Sequence, residues 1–341
     1  MNDGLTYRDA GVDLEAARAT KARLSELVRR TRTDAVSSDF GSFGGRFRAT
    51  PGRELVASAD GVGTKLKIAF MADRHDTVGI DLVNHCVNDI LVEGARPLIF
   101  MDYVACGVLN PDTVTSVVAG LADACRENGC ALLGGETAEM PDFYAEGEYD
   151  LAGFIVGEVA WPALARRELS AGDRLIGLAS SGIHTNGYSF VRALFFGRLG
   201  LGARDPFPGT GMSVSEVLLR PHRSYLPILA PSLDAGRIRA LAHITGGGIP
   251  GNLDRVIGPG LDAVVRSDAW RRPHEFEVIA RESGADEAEL FRTFNMGVGM
   301  IAVVREAEAQ SVLGQIRETG CDAFECGELV EGDGEVRLEG A

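Results

Sequence analysis

Ala59-Asp60-Gly61-Val62-Gly63-Thr64-Lys65-Leu66-Lys67-Ile68 places an acid, two glycines, a hydroxyl and a lysine between a strand-like run and an amphipathic helix. Such groups suit a metal-bound polyphosphate. Amides at a helix start take phosphate oxygens, a lysine adds charge, and a carboxylate takes the cation. The spacing is not that of a P-loop, because only Val62 separates the two glycines and Leu66 follows Lys65. A strand-to-helix turn with a solvated lysine accounts for the same residues, so both readings stand on this stretch alone.

Outward from it, leucines and valines at helical spacing predict a helix over 13–30 with Asp13 as N-cap. A glycine-rich loop follows at 40–45. Strands are expected over 54–59, 98–105, 130–133 and 151–159, with helices over 64–73, 78–93 and 111–128. Pro111 at a first turn and Gly129 past the end frame the last helix. A linker over 161–172 leads to a second series. Its strands fall near 174–179, 261–265, 298–304 and 323–329, and its helices near 187–199, 212–219, 274–283 and 306–319. Without strict βα alternation, the pattern is α+β in two domains, 1–168 and 169–341.

The chain has 341 residues and a net charge of −15, which argues against nucleic acid or an anionic membrane as partner. No apolar run approaches the roughly 20 residues of a membrane span. The acidic start Met1-Asn2-Asp3-Gly4 has no signal-like basic region, so a cytoplasmic protein is expected. The six cysteines form no Cys-x-x-Cys pair and read as free thiols.

The helix over 78–93 gathers Asp81, Asn84, His85, Asn88 and Asp89 on one face, opposite Leu82, Val83, Cys86 and Ile90. Short oxygen-bearing side chains without Lys or Arg point to a cation or hydrogen-bonding face. Asp102, Glu136 and Glu139 lie in or just after apolar strands. With Asp60, Asp81 and Asp89 they make six acids with few cationic partners, a set suited to Mg2+ and a nucleotide. In the second half Ser181, His184 and Asn186 share a glycine-flanked loop that reads as a phosphate or proton-transfer site. Thr245-Gly246-Gly247-Gly248 exposes consecutive amides to an anion or forms a flexible turn. Arg292 and Asn295 offer a charged fork or a capped helix end. No Ser-His-Asp nucleophile pattern occurs.

In order, Tyr7 to Asp13, Asp60 to Ala69, Gly79 to Leu82, Val87 to Asp89, Gly134 to Pro141, Ser180 to Arg192, His243 to Gly248 and Arg292 to Met300 resemble the phosphoribosylformylglycinamidine cyclo-ligase (AIR synthetase) family. Ser42 interrupts the usual Phe-Gly-Gly-Phe run, Arg96 stands where an acid is common, and Pro250-Gly251 replaces an aromatic-Glu pair. The resemblance implies two AIR synthase-like α+β domains, with N-terminal strands forming a barrel across a homodimer. It implies ATP- and Mg2+-dependent closure of formylglycinamidine ribonucleotide to 5-aminoimidazole ribonucleotide, releasing ADP and phosphate in purine biosynthesis.

On the same basis Asp60, Asp81, Asp89, Asp102, Glu136 and Glu139 hold metal. Gly44, Asp60, Gly61, Gly63, Thr64, Lys65, Asn84 and Asn88 hold nucleotide, with Lys65 on phosphate and the 40–45 loop closing over it. Ser181, His184, Asn186, Thr245 to Gly248, Arg292 and Asn295 face the substrate, and His184, Asp89 and Lys65 are the expected catalytic set. A thiamine-monophosphate kinase, a selenophosphate synthetase or a silent nucleotide-binding subunit are the rivals. The first cysteine is Cys86, which leaves no reactive N-terminal cysteine for the second.

Overall fold

In the computed structural model, which describes residues 4–166 and 168–340, the chain folds around two sheets. Met1 to Asp3, which include the acid of the N-terminal stretch, lie outside the described residues. The first half comprises α1 (Leu14–Arg29), the hairpin β1 (Gly45–Thr50) and β2 (Arg53–Gly61), and a 3-10 turn Gly63–Lys65 running into α2 (Leu66–Ala72). It continues through α3 (Val78–Val92), β3 (Ala95–Cys106), α4 (Pro111–Glu127), β4 (Ala131–Glu139), β5 (Tyr149–Val159) and α5 (Pro162–Arg166). The second half has β6 (Arg174–Ala179), α6 (Tyr188–Arg192) with a π-helical extension Ala193–Arg198, α7 (Val214–Leu218), α8 (Leu226–Asp234) and β7 (Ile238–His243). Then come α9 (Gly248–Leu253), β8 (Leu261–Arg266), α10 (His274–Ser283), α11 (Glu287–Thr293), β9 (Val298–Val304), α12 (Glu306–Glu318), β10 (Ala323–Glu331) and β11 (Val336–Glu339).

The first sheet has the order β1-β2-β5-β3-β4 and the second β11-β8-β10-β6-β9-β7. The first is open: β1 and β4 are edges, so this single chain forms no closed barrel among the described residues. Its face away from the helices leaves Met101, Leu133 and Phe154 exposed, with Met101 directly opposite Phe154. Several elements carry no clear sequence period and go unpredicted: β1, β7, β11, α8, α9 and α11. Strand β4 runs on through Gly134-Gly135-Glu136, where a loop is expected, because it pairs in parallel with β3 as far as Glu139. The helix expected over 187–199 changes from α to π winding at Ala193.

Caps work as the sequence implies. Asp13 accepts the amides of Glu15 and Ala16 at the start of α1, and Asn110 accepts those of Asp112 and Thr113 before Pro111. Yet α1 keeps Leu24, Leu27 and Val28 at 40–54% exposure, so its apolar spacing marks no core face here. Helix α3 is the opposite case, buried along both its apolar and its polar side. It packs on β2, β3 and β5 below and meets β7 of the second half above. Its fit on α4 depends on two glycines. A Cβ at Gly79 would lie 2.3 Å from the Val117 carbonyl oxygen, and one at Gly120 2.6 Å from that of Asp76. Leu82, fully buried against Gly153 of β5, contributes about 1.5–3 kcal/mol by its burial.

A candidate active site at the seam between the domains

A helix buried between two domains must satisfy its polar side chains with protein groups, and α3 does so in two ways. Asp81, Asn84 and Asn88, spaced three and four residues apart, reach the segment Arg220 to Tyr225 of the second half. Asp81 Oδ1 accepts the His222 amide at 2.7 Å, and Asn84 Nδ2 donates to the His222 carbonyl at 2.7 Å. Asn88 donates to the Arg223 carbonyl at 2.8 Å and accepts the Tyr225 amide at 2.9 Å. Asn128 and Ser224 extend the row, since Asn128 donates to Asn84 and accepts from Ser224. These side chains bind the domains to each other.

Lys65 joins this row. The 3-10 turn carries it inward, where it is wholly buried and its ammonium lies 2.8 Å from Asp81 Oδ1. Burial lowers the Lys65 pKa and raises that of Asp81, and their contact opposes both shifts. Lys65, expected on phosphate, and Asp81, Asn84 and Asn88, expected on metal or nucleotide, thus make protein contacts in this structure. Their donors and acceptors are directed at protein, because α3 lies at a domain seam and not on an open cleft.

His85 and Asp89, four residues apart on α3, face a different set. Four of the six histidines meet here. His85 Nε2 lies 2.8 Å from Asp60 Oδ2 on β2 and 3.8 Å from Asp89 Oδ2. His85 Nδ1 lies 2.8 Å from Thr185 Oγ1, which lies 3.3 Å from His222 Nδ1. His222 Nε2 is 3.0 Å from His243 Nε2, and His243 Nδ1 is 2.8 Å from Asp89 Oδ1.

One proton arrangement satisfies every contact. Protonated His85 donates to Asp60 and Thr185, Thr185 to His222, His222 to His243, and His243 to Asp89. Electrostatics agree. Burial opposes a charge on His85, but Asp60, together with Asp89 and Asp81, outweighs it and lifts the imidazole to about 9. Burial lowers His243 despite Asp89, and burial with neighbouring positive charge holds His222 well below its usual value. Asp60 is itself held down, burial notwithstanding, by His85.

His184 completes the cluster. Its ring stacks on His222 at 3.9 Å, and its Nε2 accepts the Ser181 amide at 3.2 Å. Its other ring nitrogen, Nδ1, is buried without a partner. Burial, reinforced by neighbouring positive charge, keeps His184 neutral. Asn295, expected to face the substrate, supports this loop by donating to the Gly182 and Ile183 carbonyls. Asn252 does the same for the triple-glycine loop, donating to the carbonyls of Thr245, Gly246 and Gly248. No period or motif points to Asn252 or His222 in advance, and Thr185 lies unremarked inside the Ser180 to Arg192 stretch. Asn186 lies against Gly246, while Ser181 Oγ donates to the Pro221 carbonyl at 2.6 Å.

Of the six expected metal acids, Asp60 and Asp89 meet at His85, while Asp102, Glu136 and Glu139 lie apart from them. Asp60 and Asp102 both pair with Gly153, which separates them by two strand spacings, about 9–10 Å. Between them Leu82 fills the space over that glycine. Glu136 and Glu139 stand on the exposed edge strand β4, where Glu139 accepts the Leu109 amide. Among the described residues the one His/Cys/Asp/Glu group close enough to share an ion is His85, Asp89 and His243. Arg292 is likewise turned out, 57% exposed and paired with Glu289 at 2.9 Å. Of the nucleotide loops, Gly44 packs tightly against Val56, Gly61 donates its amide to Asp60, and Gly63 has φ +67°. Thr64 lies 3.2 Å from Ser189 across the seam.

Residues 41–159 match the AIR synthase related protein N-terminal domain, and residues 170–339 its C-terminal domain. The chain belongs to the AIR synthase related family. A phosphoribosylformylglycinamidine cyclo-ligase from Syntrophotalea carbinolica is 47% identical over 332 residues, 96% of this chain and 95% of the relative. Among solved structures, tt0281 of Thermus thermophilus superposes with a TM-score of 0.64 at 24% identity, covering 95% of this chain and 96% of that one. The hydrogenase maturation protein HypE, solved in complex with ATP, gives a TM-score of 0.58 at 20% identity, with 84% of this chain and 81% of that one covered. These structural likenesses show a shared fold, and the two matched domains meet at the histidine seam. No helix among the described residues is long and apolar enough to cross a membrane.

Proposed function

We propose that this chain closes formylglycinamidine ribonucleotide to 5-aminoimidazole ribonucleotide at the expense of ATP, as a ligase of purine biosynthesis. The observation that carries the reading is the 47% identity over nearly the whole length to a relative of that name. The seam geometry supports it. Asp60 and Asp89 flank the His85 imidazolium, and a Mg2+ ion, which takes one or two carboxylates and otherwise phosphate oxygens and water, would compete with that proton for both acids. These two acids would hold the ion, which would neutralise charge on the transferred phosphoryl group.

The chemistry needs activation and closure. An amide carbonyl is a poor electrophile with a poor leaving oxygen, and phosphorylating that oxygen corrects both. The amidine nitrogen then attacks the same carbon and phosphate departs. Both reacting groups belong to one bound molecule, so the protein's task is to hold them in place and move protons. His243, oriented by Asp89, and His184, with Nδ1 unspent, are the groups suited to that transfer. The loops Ser181 to Asn186 and Thr245 to Gly248 supply amides for the substrate phosphate, and the 40–45 loop would cover the nucleotide.

The domain boundary belongs near 168–169, and the exposed apolar face around Met101 and Phe154 is where a second copy would complete a barrel. Phe154→Asp should then yield a monomer in size-exclusion chromatography with light scattering. The chemical test mixes protein, Mg-ATP and formylglycinamidine ribonucleotide. ADP, phosphate and 5-aminoimidazole ribonucleotide should appear in equal amounts. ADP without the imidazole, or turnover of thiamine monophosphate instead, overturns the assignment.

A further inference from the structure

We infer that Lys65 is a positioning residue that sets the register of the stacked His184 and His222 rings, and does not bind phosphate. An ammonium has three N–H donors. Lys65 directs Nζ at three oxygens: Asp81 Oδ1 at 2.8 Å, the Arg220 carbonyl at 2.8 Å and the His184 carbonyl at 3.1 Å. With the side chain wholly buried, no donor remains for a ligand.

The choice of acceptors carries the argument. One is the carbonyl of His184 itself. Asp81 Oδ1, which Lys65 holds, also accepts the backbone amide of His222. A single ion pair of the first domain thus takes the main chain of both members of the stack, although 37 residues separate them in sequence (222 minus 184, less one, residues lie between). His184 also has φ +67°, a left-handed conformation that a residue with a Cβ keeps only when its surroundings hold it. Its carbonyl bond to Lys65 is part of that hold, together with Asn295 on the carbonyls of Gly182 and Ile183. Losing the ammonium leaves the His184 carbonyl without this donor and frees the ring to leave His222.

This inference rests on the proposed role of the His184 region in ring closure. Lys65→Met alone leaves Asp81 as an uncompensated buried charge and can lower the yield of folded protein. Lys65→Met with Asp81→Asn removes both charges, so it separates folding from positioning. Three measurements decide the matter on that double variant. Melting should return to within a few degrees of wild type. Binding of a non-hydrolysable ATP analogue with Mg2+ should stay within about threefold, while kcat falls at least about a hundredfold. The 15N shifts of the His184 imidazole, assigned through a His184→Gln control, should move away from the wild-type tautomer pattern. Analogue affinity reduced tenfold or more would make Lys65 a phosphate ligand and overturn the inference. Wild-type kcat in the double variant would overturn it too. If the wild-type protein forms no imidazole product, the functional reading fails. The analogue affinity and His184 shifts still decide positioning.

Discussion

Helix α3 bears two polar stripes side by side, and they have opposite uses. Asp81, Asn84 and Asn88 meet backbone amides and carbonyls of the second domain, with Lys65 and Asn128 of the first beside them. His85 and Asp89 meet a carboxylate, a hydroxyl and other imidazoles, groups that exchange protons. On a helical projection the stripes merge, since all five positions lie within about 140° at 100° per residue. What divides them is the partner each finds. The first stripe looks at a loop crossing from the second domain, the second at a strand end and at β7. The comparison yields a rule that can be broken: removing Asn84 or Asn88 should cost stability, removing Asp89 should cost turnover, and the Lys65–Asp81 pair, which holds the backbone of His184 and His222, joins the two.

Asp89→Asn should have the largest effect. The amide keeps the shape but loses the charge that orients His243 and the site offered to a cation. We expect kcat to fall by about 10^2–10^4-fold while the melting temperature stays near wild type. Full turnover in this variant would remove Asp89 from the chemistry and merge the two stripes into one structural face. Asn88→Ala should do the reverse. It leaves the Arg223 carbonyl and the Tyr225 amide unpaired at a buried seam, at a cost of about 1–3 kcal/mol. Thermal unfolding should report the loss, and KM for ATP should barely change.

A pH profile tests the second stripe without touching the reaction. His85 stands at about 9 in the folded chain against an ordinary 6.5, because burial, which opposes the charge, is outweighed by the charge and hydrogen bond of Asp60 together with the charges of Asp89 and Asp81. A base raised on folding lends its full stability below pH 6.5 and gives it up as pH climbs through about 9. In chelator-treated protein we expect a loss on the order of 1–3 kcal/mol across that window. His85→Gln should flatten it. A profile unchanged by that substitution would mean that His85 is neutral when folded and that the proton chain runs differently.

Much of this is legible in the residues. The α+β class, most of α3 and the segments forming β2, β3, β5, β6 and β9 follow from period and capping. Legibility fails where partners come from far away. Whether an aspartate on a polar helix face meets a metal or a main-chain amide depends on what lies over it. The segment over Asp81 begins 139 positions later at Arg220 (220 minus 81). For Lys65 the flanking glycines signal a phosphate loop, yet a 3-10 turn carries the side chain into the seam. Strand β7 escapes a reading of the sequence because Arg239 is its one charged residue in a short apolar run, which by itself does not distinguish strand from helix.

The smallest effect should come from Arg292, and it sharpens the comparison at its far edge. The segment Arg292-Thr293-Phe294-Asn295 is expected from sequence to present both its polar ends to substrate. The structure divides them as it divides α3. Asn295 turns in and is spent on the carbonyls behind His184, whereas Arg292 ends α11 on the surface. Its partner Glu289 is also occupied on its other oxygen, where it accepts the Tyr7 amide at 2.7 Å. An exposed ion pair of this kind contributes about 0–1 kcal/mol. Arg292→Ala should therefore leave kcat and both KM values within about twofold, whereas Asn295→Ala should lose stability and turnover together. A tenfold rise in the substrate KM for Arg292→Ala would mean that this side chain swings from Glu289 to the substrate. The outward-facing end of the segment would then belong with the histidines, and the seam would extend further across the second domain than its buried residues alone define.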